Sequence, residues 1–182
     1  MSLMDKSCVV LVGLFASILH EFGHIIIMLY EKREIGQINV GMFNVDIIDG
    51  NRSELNYKSD IKVLLGGPLI NYFTYLIFII LYCIIKIDII KFIAYENLII
   101  GIINILPIAN LDGGQIIFAI LSKFLRFDLS VRITQIISFL TLIPLSILGF
   151  IILFDSKYNF SLLFLSMYLM CILLWKKDSF YI

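Results

Sequence analysis

The hydrophobic positions of this chain run in long blocks, with neither the period-2 alternation of a half-buried strand nor the narrow stripe of a surface helix. A helix that crosses a bilayer needs about 20 mostly apolar residues, and four blocks meet that length, at about 8–30, 63–85, 131–154 and 159–175. A fifth block, at about 89–125, is apolar at both ends and interrupted by Asn104, Pro107, Asn110 and Asp112. As one helix of roughly 37 residues it would reach about 55 Å, nearly twice the hydrocarbon thickness. It must therefore break. Pro107 removes a backbone donor, and Gly113 and Gly114 loosen the chain just beyond it. Irregular backbone at membrane depth is tolerated only where protein or water covers it, which points to a functional cavity at the break.

The pattern predicts an all-α polytopic membrane protein of about five transmembrane helices, one of them broken near Pro107, with residues 1–182 forming a single domain. The stretch Ile35 to Ile48 is β-branched and partly alternating, and the turn-like residues 49–53 follow it. A small strand or hairpin is expected there, on the cytoplasmic side.

Composition agrees with the pattern. Hydrophobic residues make up 60% of the 182 positions and charged residues 15%, and the mean hydropathy is +1.00. These values lie far outside the range of soluble domains. The formal net charge is zero and no run of lysine or arginine occurs, so no nucleic-acid footprint is visible. The expected partner is lipid. Cys8, Cys83 and Cys171 each sit in an apolar run, which fits buried, inert thiols better than a disulfide framework. The first block lacks a small-residue cleavage site and reads as a retained helix. Lys32, Arg33, Arg52, Lys58 and Lys62, with Lys123, Arg126, Arg132, Lys176 and Lys177, are ten of the fourteen basic residues. By the positive-inside rule their side is cytoplasmic, giving an outside N-terminus and a cytoplasmic C-terminus.

Within the first block stands HEFGH, in which His20 and His24 are the only two histidines. Their i, i+4 spacing places both imidazoles on one helical face, where they can reach one zinc ion, and Glu21 lies beside that face. In a soluble helix such a match arises readily by chance. At membrane depth the chance reading loses ground, because an acidic residue at a helix centre costs about 2.5–3.5 kcal/mol on insertion scales. A catalytic zinc site has three protein ligands and an open position. Asp112, in NILPIANLDGG, is the best candidate for the third ligand; its plainer reading is a helix N-cap after the proline break. Asn104 could hold substrate backbone or a developing oxyanion, or could simply bond a neighbouring helix. Asn71, in GGPLIN, offers an amide within a span beside Gly66, Gly67 and Pro68, and helix packing alone would explain that motif equally well.

Taken in order, HEFGH, GGPLIN and NILPIANLDGG resemble the site-2 protease family of intramembrane zinc metalloproteases (peptidase family M50). That family's N-x-x-P-x-x-x-L-D-G motif is matched by Asn104, Pro107, Leu111, Asp112 and Gly113. The run from Asn97 to Lys123 is most similar to the sporulation branch, whose member processes a pro-sigma factor. The resemblance implies one zinc per chain held by His20, His24 and Asp112, with Glu21 as general base. Asn71 is a further candidate for substrate binding, and the resemblance also implies that Asn104 helps to position substrate. Its expected partners are a membrane-embedded protein substrate such as a pro-sigma or anti-sigma factor, the bilayer, and an inhibitory membrane partner; the expected location is a bacterial cell membrane. Oligomeric state is left open. Relatives carry a further leading helix and a CBS or PDZ domain, and no segment here reads as either regulatory domain. A membrane metal-binding or metal-transport protein is the alternative reading of the same ligands, and it differs in giving Glu21 no essential role.

Overall fold

A computed structural model describes residues 6–33, 35–40, 45–49, 57–156 and 160–175. The chain divides into two compact units, Met1–Asn104 and Ile105–Ile182.

In the first unit, α1 (Lys6–Tyr30), α2 (Tyr57–Ile85) and α3 (Asp88–Asn104) pack side by side. Between α1 and α2, strands β1 (Ile35–Val40) and β2 (Val45–Asp49) pair antiparallel, with Gln37 opposite Ile48, Val40 opposite Val45, and an irregularity at Ile35/Gln37. Helix α1 stops at Lys32, whose left-handed φ of 56° turns the chain away while the Arg33 amide reaches back to the Met28 carbonyl at 3.0 Å. Polar side chains then tie the end of α1 to the start of α2. Arg33 donates to Asp60 at 2.7 Å and to Ser59 at 3.0 Å, and Lys62 donates to Glu31 at 2.8 Å. Deeper along the same pair the helices come almost into backbone contact. A methyl group on Gly23 would overlap the Gly66 carbonyl, so this crossing admits only glycine.

In the second unit, α4 (Asp112–Ser122), α5 (Phe127–Ser156) and α6 (Ser161–Trp175) follow a connecting stretch that contains Pro107. Its core joins Ile108 and Ala109 of that stretch to Leu142 of α5 and to Leu169 and Leu173 of α6. The Ala109 amide donates to the Ser138 hydroxyl at 2.8 Å. A backbone donor left over by the break is thereby satisfied from α5, as the absence of water at such depth requires. Ser138 in turn donates to Thr134, and Thr134 to Ser130, each bond going to the carbonyl four residues back.

Polarity is inverted relative to a soluble domain. Ser59, Asn71, Asn97, Ser130, Thr134 and Ser138 are buried, whereas large apolar residues such as Val10, Leu11, Ile84 and Phe154 are exposed along the helices. This is the arrangement expected when lipid is the solvent.

Two expectations need correction. Among the described residues three helices, not five, are long and apolar enough to cross a membrane: Val9–Tyr30, Tyr57–Ile85 and Phe127–Asp155. The interrupted fifth block becomes α3 of 17 residues and α4 of 11, about 26 and 17 Å long, and α6 is described over 15 residues. The thiols also differ from expectation: Cys83 and Cys171 are free and exposed, because on a membrane helix an apolar side chain gains nothing by turning inward. The turn residues 50–53 and the basic Lys176 and Lys177 lie outside the described residues.

Candidate metal centre

His20 and His24 stand one turn apart on α1, both buried, with relative exposures of 5% and 9%. Their Nε2 atoms lie 3.2 Å apart and their rings meet edge to face. Val63, Gly67 and Asn71 of α2 stand against this pair; spaced by four, they share one face of that helix. The Nδ1 atom of His24 lies 2.8 Å from the Val63 carbonyl oxygen. A carbonyl can only accept, so Nδ1 carries the proton and Nε2 keeps its lone pair. Asn71 approaches the other ring, with its amide nitrogen 3.4 Å from His20 Nδ1.

Gly67 lies directly against both rings. A Cβ there would come to 2.5 Å from His24 Nε2 and 2.7 Å from His20 Nε2. Two nitrogen donors turned toward each other beside a residue with no side chain suit a shared cation. Imidazole nitrogen together with carboxylate oxygen is a zinc donor set, whereas calcium and magnesium sites are built from oxygen.

Asp112 opens α4 in the second unit and is buried. Leu111 occupies the N-cap position in extended conformation, so Asp112 lies inside the first turn and does not act as the cap. Its negative charge there is favoured by the helix dipole. The next two residues fit under the preceding backbone: methyl groups on Gly113 and Gly114 would overlap the carbonyls of Ile105 and Ile108. His20 and His24 in the first unit and Asp112 in the second are each buried and each offer one atom able to ligate a metal.

Glu21 follows His20 on α1 and is half-buried. Asn104 ends α3, and its amide nitrogen donates to the Ile100 carbonyl of its own helix at 3.1 Å. Two contributors escaped the sequence reading. The Val63 carbonyl is backbone and leaves no residue-type signal. Gly67 did carry one, its i, i+4 spacing from Asn71, but it reads first as a helix-packing glycine.

Just outside the membrane-spanning part of α1, Glu31 is held below the ordinary glutamate range by its hydrogen bond to Lys62, with help from Ser59.

Residues 84–148 match the family model for Peptidase family M50. No curated protein matches the chain. Among solved structures, the site-2 protease from Methanocaldococcus jannaschii has a similar fold, with a TM-score of 0.65 and 21% sequence identity, over 92% of this chain and 76% of that one. The family match covers residues 84–148 alone, and the structural likeness is one of fold. They do not single out the sporulation branch.

Proposed function

We propose that the chain is an intramembrane zinc metalloprotease that hydrolyses a peptide bond in or near a transmembrane segment of a membrane-tethered substrate. The observation that carries this reading is the buried His20–His24 pair, its Nε2 atoms 3.2 Å apart, in a chain otherwise solvated by lipid; Asp112 joins it as third ligand on the strength of its sequence motif. One zinc ion held by these three residues would supply Lewis-acid polarisation of water and of the scissile carbonyl. The chain's own residues do the rest. Val63 fixes the tautomer of His24 through Nδ1, and Gly67 leaves room for the two facing ring nitrogens. The Glu21 carboxylate takes a proton from the attacking water and hands it to the leaving amine. Asn104 positions the substrate backbone at the break before Pro107.

The finer parts of the proposal rest on sequence. The charge distribution supports an outside N-terminus and a cytoplasmic C-terminus, and a bacterial cell membrane rests on the resemblance to the sporulation branch. Residues between the first and second long helices, including the β1–β2 pair, would then guide an extended substrate by strand addition. A pro-sigma or anti-sigma factor as substrate rests on the resemblance of Asn97 to Lys123 alone.

The test is reconstituted cleavage of candidate membrane substrates by wild type, Glu21→Gln and chelator-treated protein. The proposal expects no cleavage in the last two, with zinc retained by Glu21→Gln. Cleavage that survived both treatments would refute it, and metal-dependent transport unaffected by Glu21→Gln would favour the metal-transport alternative.

A further inference from the structure

Two facing imidazole nitrogens can both offer lone pairs to one cation only if each ring carries its proton on Nδ1. For His24 the Val63 carbonyl imposes that state. At Nδ1 of His20 stands the side chain of Asn71, 3.4 Å away. That side chain is completely buried, which leaves no exposed amide to meet a substrate. Its Oδ1 is buried without a hydrogen-bond partner, while its Nδ2 is the atom turned toward His20.

Resting on the zinc-protease reading, we propose that Asn71 is a positioning residue that sets the tautomer of His20, serving the metal site through the ring instead of contacting substrate. An amide can serve either tautomer. With Nδ2 toward the ring, Asn71 donates to an unprotonated Nδ1, and His20 Nε2 carries the proton and donates to His24 Nε2 across their 3.2 Å separation. This is a closed hydrogen-bond chain suited to the metal-free pair. With the amide turned about its Cβ–Cγ bond, Oδ1 accepts from a protonated Nδ1 and the His20 Nε2 lone pair is released for the metal. The amide oxygen and nitrogen are nearly the same size, so the turn needs no repacking. A carboxylate would serve only the second state, and an aliphatic side chain neither. The partner of a ligand's second ring nitrogen typically governs metal affinity by about 10–100-fold.

The experiment uses the full chain in lipid nanodiscs, labelled with ¹⁵N-histidine. His20 and His24 are the only two histidines, so imidazole nitrogen shifts report both tautomers directly. Zinc affinity is measured by chelator competition on wild type, Asn71→Asp and Asn71→Leu. The proposal expects zinc-loaded wild type to show both rings protonated at Nδ1. It expects Asn71→Asp to keep zinc affinity near wild type and Asn71→Leu to lose about 10–100-fold. Undiminished zinc affinity in Asn71→Leu, or a raised KM with unchanged zinc affinity, overturns it in favour of a packing or substrate role. If Asn71→Leu does not fold, the wild-type spectrum decides: His20 protonated at Nε2 with zinc bound refutes the proposal. Wild type that binds no zinc at all would instead refute the metalloprotease reading on which it rests.

Discussion

His24 of α1 donates from Nδ1 to the carbonyl oxygen of Val63 on α2 at 2.8 Å, so a backbone atom of one helix fixes the chemistry of a side chain on another. The bond turns the Nε2 lone pair of His24 toward His20, and it makes metal affinity a property of how closely α1 and α2 cross.

Gly67→Ala tests that dependence. Its Cβ would sit 2.5 Å from His24 Nε2 and 2.7 Å from His20 Nε2, far inside contact distance. Either the rings swing away or the helices part. Zinc affinity should fall at least about tenfold, the scale on which disturbed ligand orientation acts, as measured by chelator competition. Gly66→Ala meets the Gly23 backbone instead; its main effect should be a lower thermal midpoint, equivalent to about 1–3 kcal/mol of overpacking.

Glu21→Gln separates chemistry from binding. The substitution keeps size and removes the proposed base, so cleavage should fall by about 10²–10⁴-fold. Zinc content, measured by mass spectrometry of the purified protein, should stay at the wild-type level.

Ser138→Ala should destabilise the second unit without touching a proposed ligand. The Ala109 amide would lose its acceptor in a core that includes Ile108 and Leu142. An unsatisfied buried donor costs about 1–3 kcal/mol, read as a lowered unfolding midpoint in detergent.

Acid should loosen the tie between α1 and α2. The carboxyl of Glu31 is held below its ordinary value of 4.5, chiefly by its hydrogen bond to Lys62. A depressed carboxyl stabilises the fold fully above its unfolded pKa, and the contribution disappears as pH falls through the folded one. Thermal midpoints followed downward from pH about 6 should drop more for wild type than for Glu31→Gln, most clearly below the ordinary carboxylate range.

The sequence made some of this legible and hid the rest for physical reasons. The i, i+4 spacing of His20 and His24 survives into the structure because helical geometry converts spacing into proximity without help from the rest of the fold. The helix break before Asp112 is legible too, since Pro107 acts locally. The number of spans was harder to read. Apolar runs report what lipid tolerates, whereas the lengths of α3 and α4 depend on where the broken chain resumes its helix. The environment of Cys83 and Cys171 was misread because apolar surroundings mean burial in a soluble protein and lipid in this one. The Val63 carbonyl and the Ser138 hydroxyl could not be anticipated: each acts through a partner that only the packing of two helices supplies.

The central proposal is that His20, His24 and, on the strength of its sequence motif, Asp112 hold a catalytic zinc. Its most direct test is metal stoichiometry of the purified full chain, for wild type and for His20→Ala, His24→Ala and Asp112→Ala, with folding checked by circular dichroism. The account predicts one zinc per wild-type chain and its loss from each folded variant. Full zinc retention in folded Asp112→Ala, or in either histidine variant, would contradict it.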